Sequence, residues 1–300
     1  MTLALIAGAG SLPALIAARQ PELPFVASLS GFAPEGLTPD ITFRIEHLGS
    51  ALETLKAQGV TRLCLIGKVS RPVVDPAQID AQTMPFVPAM MAAMAEGDDG
   101  ALRGLMAILE DAGFTLVGAH EIAKDLLPPA GVLTGALGPS SEADAARAER
   151  IVAAMGAADV GQACIVAEGQ ALAIEALPGT DHMIRTLLAP VNTGQPAGVD
   201  DPIGMAVDWL SAREGASAAK AARPAGLPGG GLLFKAPKPG QELRADMPTV
   251  GPATVRLAAQ AGLEGIVIAE GGVLLAEQAE CIEIAKAAGL FLWVRPTERA

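Results

Sequence analysis

The sequence has no tyrosine, and all aromatic residues together make up 3% of its 300 residues. So few argue against a stacking platform for bases and against a sugar-binding surface of aromatic rings. Basic residues are in the minority: 21 Lys and Arg against 33 Asp and Glu leave a formal net charge of −12. Affinity for DNA or RNA rests on cations that neutralise phosphates, so no nucleic-acid partner is expected. A phosphorylated small molecule is not excluded, because it needs only a local cluster of donors. Histidine and cysteine are scarce, three of each, and Cys64, Cys164 and Cys281 are widely spaced with no Cys-x-x-Cys pair. This argues against a disulfide framework or a structural zinc site. Each cysteine sits in an apolar run and reads as a small core residue in a reducing cytoplasm. No apolar run approaches the ~18 residues a membrane-spanning helix needs. The opening Met1–Gly8 has no basic region before its apolar stretch and reads as a first strand rather than a signal peptide.

Hydrophobic residues make up 51% of the chain, much of it alanine, which favours helix and adds little bulk. The length favours two domains. Leu3–Ala7 is a short apolar run that ends in Gly8-Ala9-Gly10-Ser11 and leads into a helical stretch through Leu15 and Ala18. Strands are expected over 24–29, 41–46, 62–66 and 114–117, with helices over 51–58, 88–95 and 100–112. That alternation implies a mostly parallel sheet covered on both faces. The Pro- and Gly-rich residues 128–140 read as a linker. Ser141 then opens a helix to about Met155, with Asp144 as a capping-box partner. Residues 163–167 and 171–176 read as a hairpin across Glu168-Gly169-Gln170, followed by a helix over 181–188. Residues 191–230 read as a long excursion around one short helix near Trp209. A strand over 232–235, a helix over 253–260 and a second hairpin (266–269 with 273–275, across Gly271-Gly272) follow. A last helix and a strand over 290–294 finish the chain. The fold class is therefore α/β with two domains: an N-terminal Rossmann-like domain with a mostly parallel sheet over 1–132, and a C-terminal α/β domain over 133–300.

Several loops could carry chemistry. The turn Gly8-Ala9-Gly10-Ser11 sits where backbone N–H groups and a helix N-terminus could cradle a phosphate. It lacks the complete G-x-G-x-x-G, and a plain tight turn explains it equally. Gly67-Lys68-Val69-Ser70-Arg71-Pro72 follows a strand, at the sheet edge where open parallel sheets bind ligands. Lys68, Ser70 and Arg71 could donate to phosphate or ribose, or the loop is simply solvated. Asp98 and Asp99, before a helix, either cap it or hold Mg²⁺. Glu168, Glu175 and Asp181 gather around one hairpin and the loop after it. Residues 235–251 pack Lys235, Lys238, Gln241, Arg244 and Asp246 among three prolines. Cations beside an acid suit a phosphorylated ligand, the acid binding metal or orienting water. The three histidines are scattered, and no G-x-S-x-G nucleophile motif is present.

Taken in order, these segments resemble the LpxI-type UDP-2,3-diacylglucosamine pyrophosphatases. The resemblance rests on Leu5–Pro13, Gly67–Pro72, Gly97-Asp98-Asp99, Gly118–Glu121, Asp159–Gln162, Glu168-Gly169, Glu175 and Gly179–Asp181. Its most distinctive parts are Lys235–Pro239 with Gln241, and Asp246-Met247-Pro248-Thr249-Val250-Gly251. It implies hydrolysis of UDP-2,3-diacylglucosamine to UMP and 2,3-diacylglucosamine 1-phosphate, a step toward lipid A, with Mg²⁺ as cofactor and attack at the sugar-side phosphorus. By the same match Asp246 is the catalytic residue and a metal ligand, with Asp98 and Asp99 as further metal candidates. Gly10, Ser70 and Arg71 would hold nucleotide or sugar, joined by Gln162, Thr180 and Asp181 from the other domain. Ser11, Lys68, Val69, Glu168, Lys235, Lys238, Gln241 and Thr249 complete the expected substrate-binding set. A cytoplasmic protein, transient contact with the inner face of the inner membrane, and a homodimer go with the resemblance. Two rivals share the scaffold. A non-catalytic sugar-nucleotide sensor would bind the lipid and release no UMP. A nicotinamide-dependent oxidoreductase would need the glycine fingerprint and the ribose-binding acid that are missing here.

Overall fold

The computed structural model describes residues 2–70, 73–95, 97–188 and 227–296. Arg71 and the helix expected near Trp209 lie outside them. The chain divides into two compact units. The first holds residues 1–128, 239–249 and 271–276, and the second holds 129–238, 250–270 and 277–300.

The first unit is built on five strands: β1 (Thr2–Ala7), β2 (Phe25–Leu29), β3 (Ile41–Phe43), β4 (Val60–Ile66) and β5 (Thr115–Leu116), in the order β3-β2-β1-β4-β5. Every pairing is parallel. Alternate residues face opposite sides, as the two-residue period of a strand requires. Ala4, Leu63 and Leu65 join Leu48, Leu52 and Leu55 of α2 (Leu48–Ala57) in one core. Leu5, Ala7 and Cys64 join Ile16 and Ala17 of α1 (Leu12–Ala17) in the other. Helices on both faces make this the Rossmann-like sheet expected from the alternation. Two helices, α3 (Val87–Met94) and α4 (Gly97–Asp111), lead into β5, and a single turn, α5 (Ala119–Ile122), follows it.

Segments from the second half of the sequence are part of this unit. Ala245 packs against the first core, and Met247 and Leu274 belong with the second. Leu274 N donates to Pro248 O at 2.8 Å. The hairpin expected across Gly271-Gly272 therefore does not form: Gly265–Ala269 pairs with other strands of the second unit, and 271–276 belongs to the first.

Glu46 anchors the chain leaving the β4 loop. It is buried, pairs with Arg44 at 2.8 Å, and accepts from the N–H of Asp75 at 2.8 Å. These bonds, the Arg44 guanidinium foremost, hold its carboxyl down from 4.5 to about 2. A depressed carboxyl stabilises the fold fully above its unfolded value and loses that contribution as pH falls through the folded one. The stability Glu46 confers should thus be complete above about pH 4.5 and fade toward pH 2. Glu46→Gln should cost about 2 kcal/mol at neutral pH, read as a lower urea midpoint, and the difference from wild type should shrink below pH 4. An equal difference at pH 7 and pH 3 would contradict this.

The second unit holds a six-stranded mixed sheet. Its strands are β6 (Gly131–Thr134), β7 (Ala163–Ala167), β8 (Gln170–Ile174), β9 (Leu232–Lys235), β10 (Gly265–Ala269) and β11 (Phe291–Arg295). The order is β6-β11-β10-β9-β7-β8, with β9, β10 and β11 parallel and the rest antiparallel. The stretch expected as a linker therefore contains an edge strand, β6. Ala145, Ala148 and Val152 of α6 (Ser141–Ala157) pack on Cys164, Val166, Leu232 and Phe234. All three cysteines are buried free thiols, and burial raises each to about 12, which fits core residues and not nucleophiles.

Asp144 departs from its expected capping role. Its carboxylate accepts from the N–H groups of Glu168 (3.1 Å) and Gly169 (2.6 Å), and the helix has no side-chain cap at Ser140. Glu168 and Gly169 have φ of 51° and 76°, the paired left-handed conformation that closes a two-residue hairpin between β7 and β8.

Candidate active site

In the first unit the loops after β1 and β4 lie at the carboxyl edge of adjacent strands, where the strand order reverses. This is where open α/β sheets bind ligands. The loops are laced together: Gly8 N donates to Ile66 O at 2.8 Å, Ala9 N to Lys68 O at 2.9 Å, and Lys68 N to Ala9 O at 2.9 Å. A Cβ on Gly8 would lie 2.7 Å from Lys68 O, and one on Gly67 would lie 2.7 Å from Gly8 O. Glycine is needed here so that two backbones can touch. The first two N–H groups of the turn are used in that contact, so any phosphate contact falls to Gly10 and Ser11. Gly10 has a φ of 96° with open space where a Cβ would be. Ser11 is exposed at the start of α1 and makes no side-chain cap. Lys68, Val69 and Ser70 are exposed on the partner loop. The two candidate loops are thus brought together at one edge.

The segment 239–249 is pinned to the same unit. Arg103 donates to Gly240 O at 2.6 Å. Arg244 pairs with Glu110 and Glu242, both at 2.8 Å. Those bonds raise the arginine and, chiefly through the Arg244 guanidinium, lower the Glu242 carboxyl. Asp246 N donates to Glu242 O at 3.0 Å, closing a turn. Gln241 Nε2 donates both to Asp246 O (2.9 Å) and to Asp246 Oδ2 (2.6 Å). One carboxylate oxygen is therefore oriented, while no bond to Oδ1 is found among the described residues. Thr249 lies three residues on, its hydroxyl donating to Met247 O at 3.2 Å. Gln241, expected to touch substrate, also orients Asp246. Sequence reasoning did not foresee Arg103 or Glu110 as anchors, since nothing local links residues more than a hundred positions apart.

His120 follows β5. Its Nδ1 is buried without a partner among the described residues. A Cβ on Gly118 would lie 2.3 Å from the ring and 3.2 Å from Arg244 Cα, so glycine makes room for this ring. Asp98 and Asp99 fall in the first turn of α4.

In the second unit the sequence candidates separate into two places. Lys235, at the end of β9, is level with Ala163 at the start of β7. Its Nζ donates to Thr180 Oγ1 at 2.8 Å, at the start of α7 (Thr180–Thr186). Thr180 Oγ1 in turn donates to Glu175 Oε1 at 2.5 Å, and Gln162 N donates to Glu175 Oε2 at 2.9 Å. Lys235, Thr180 and Glu175 are all buried. Nearby in sequence, Asp181 accepts from Thr254 Oγ1 at 3.1 Å, and Lys238 pairs with Asp159 at 2.6 Å. Glu168 lies elsewhere. It follows the far end of β7, roughly 16 Å along the strand at ~3.3 Å per residue. Among the described residues, no group of three or more His, Cys, Asp or Glu is placed to hold a metal. No described helix is long and apolar enough to cross a membrane.

Residues 2–126 match the LpxI N-terminal domain, and residues 129–293 match the LpxI C-terminal domain. The chain belongs to the LpxI family. UDP-2,3-diacylglucosamine pyrophosphatase LpxI of Caulobacter vibrioides is 35% identical over 305 residues, covering 99% of each chain. The junction of the two LpxI domains, between 126 and 129, coincides with the Pro128 boundary of the first unit. The LpxI C-terminal match also spans 239–249 and 271–276, which are built into that unit.

Proposed function

We propose that the chain hydrolyses the pyrophosphate bond of UDP-2,3-diacylglucosamine to UMP and 2,3-diacylglucosamine 1-phosphate in lipid A biosynthesis. The observation that carries this reading is end-to-end similarity to a pyrophosphatase of that specificity. Asp246 is the reacting carboxylate. Gln241 holds Oδ2 and leaves Oδ1 to accept from an attacking water or to bind a metal. Water adds to the sugar-side phosphorus, the bond to the bridging oxygen breaks, and UMP leaves with that oxygen. One water proton passes to the carboxylate or to solvent. Mg²⁺ would supply Lewis-acid charge neutralisation on the pyrophosphate. A single carboxylate fits Mg²⁺, which keeps most of its waters and takes further ligands from substrate phosphates. Gly10, Ser11, Lys68 and Ser70 supply donors at the edge of the first sheet. UMP release by the purified chain tests the reading. Binding of the lipid with no UMP released would support the sensor instead.

Residues 84–95 contain no charged or hydrogen-bonding side chain. Helix α3 within this run fully buries none of its residues, and Met84, Met91 and Met94 are exposed. Exposed apolar surface of this kind marks an interaction site, and methionine adapts to flexible partners. It supports acyl-chain contact and a peripheral position on the inner face of the inner membrane. Replacing Met91 and Met94 together by glutamate should raise KM for the diacylated substrate about tenfold or more and weaken co-flotation with lipid vesicles. The unfolding midpoint should stay near wild type. Unchanged KM and flotation would remove this surface from the reading.

A further inference from the structure

His120 has no role in the reaction described above, yet the first unit makes room for it. It follows β5 at the carboxyl edge of the parallel sheet, next to β4, whose own loop carries Lys68 and Ser70. The turn that holds it is closed by Gly118 N, which donates to Glu121 Oε1 at 2.7 Å. The ring occupies the space of a side chain at 118: a Cβ there would lie 2.3 Å from Cε1, 2.6 Å from Nδ1 and 3.2 Å from Arg244 Cα. The ring edge that carries Nδ1 is thus packed on glycine, beside the backbone of the segment that carries Asp246 two residues on. All of these residues belong to the first unit.

The two ring nitrogens differ in their surroundings. Nδ1 is buried without a hydrogen-bond partner, and Nε2 is neither buried nor bonded among the described residues. A proton on Nδ1 would be a buried donor with no acceptor, which costs its full desolvation. In the neutral ring the proton therefore belongs on Nε2, where it can be donated. A histidine that served packing alone would have its buried polar atoms paired. Here a space cleared by glycine holds a ring that makes no hydrogen bond among the described residues and keeps one donor accessible. It does so at the edge where Gly10, Ser11, Lys68 and Ser70 present theirs.

We propose that His120 is a further substrate-binding residue for the hydrolysis, donating from Nε2 to a phosphate oxygen of the nucleotide. The inference rests on the hydrolase reading, which brings the pyrophosphate to this edge. A hydrogen bond to a charged group is worth roughly ten- to a hundredfold in affinity.

The test uses the full chain and measures kcat/KM for UMP release, calorimetric affinity for UMP and the unfolding midpoint. His120→Leu keeps apolar bulk and removes both nitrogens, whereas His120→Gln carries an N–H at about the reach of Nε2. His120→Leu should weaken UMP binding and lower kcat/KM, each about tenfold or more. Its midpoint should stay at or above wild type, since the buried unpaired nitrogen leaves with the ring. His120→Gln should restore most of both losses. Nitrogen NMR adds a readout independent of activity. Of the three histidine signals, the one missing from His120→Leu should carry its proton on Nε2 and shift when UMP is added. If His120→Leu does not fold, His120→Ala takes its place. Folded variants with wild-type kinetics and UMP affinity, or a His120 signal that UMP leaves unmoved, overturn the inference and leave the hydrolase reading standing. A folded wild type that binds UMP through His120 but releases none from the diacylated substrate overturns the hydrolase reading alone.

Discussion

Asp246→Asn is expected to lower UMP release about 10³-fold or more, equivalent to about 4 kcal/mol of transition-state stabilisation, in a protein that still folds and binds nucleotide. Asparagine has nearly the same shape, so its amide oxygen can still accept from Gln241 Nε2, whose 2.6 Å bond holds the native carboxylate. What is lost is the negative charge and basicity at the other oxygen. The surrounding segment should hold, because its anchors lie elsewhere: Arg103 on Gly240, and Arg244 on Glu110 and Glu242. Product assays, calorimetric binding of UMP and a thermal midpoint together separate lost chemistry from lost fold. A folded variant with more than a tenth of wild-type activity would take Asp246 out of the chemistry.

Chelation should have a comparably large effect. EDTA is expected to reduce UMP release about 100-fold or more, with recovery on adding excess Mg²⁺. Among the described residues the protein offers no cluster of three or more ligating side chains. The metal is therefore expected to need the phosphates of the ligand as partners. Titration of Mn²⁺ by paramagnetic resonance should show little saturable binding to the free protein and clear binding once UDP or UMP is present. Full activity in EDTA would exclude the metal from the mechanism. Tight binding to the free protein would contradict the shared-ligand arrangement.

Much of the first unit could be read from its sequence because its signals are local. Short apolar runs with Gly at their carboxyl ends, separated by helical patterns, are enough to specify a parallel sheet and to place the Gly8–Ser11 and Gly67–Ser70 loops at one edge. Most strand ends fall within two residues of those expected, but the strand expected over 41–46 stops at Phe43 and gives way to a 3-10 turn over Ile45–His47. The errors arose where distant residues decide the outcome. Gly271-Gly272 between apolar runs is a strong hairpin signal, but Leu274 is taken up by the core of the first unit. Asp144 stands where a helix cap would, but two N–H groups of a hairpin 24 and 25 residues away claim its carboxylate. The burial of Lys235 and its bond to Thr180, 55 positions away, are likewise not signalled by the residues around it. Gln241 and Asp246 are both candidates by residue type and spacing. Their mutual bond depends on the turn that returns Asp246 N to Glu242 O, which five residues of sequence do not specify.

Hydrolysis is tested by incubating the purified chain with UDP-2,3-diacylglucosamine and Mg²⁺ in ¹⁸O-labelled water and weighing both products by mass spectrometry. UMP and 2,3-diacylglucosamine 1-phosphate are expected in equal amounts, with one labelled oxygen on the sugar phosphate and none on UMP. Intact substrate after prolonged incubation with folded protein would contradict the hydrolase itself. Label on UMP would keep the hydrolase but move the attack to the other phosphorus.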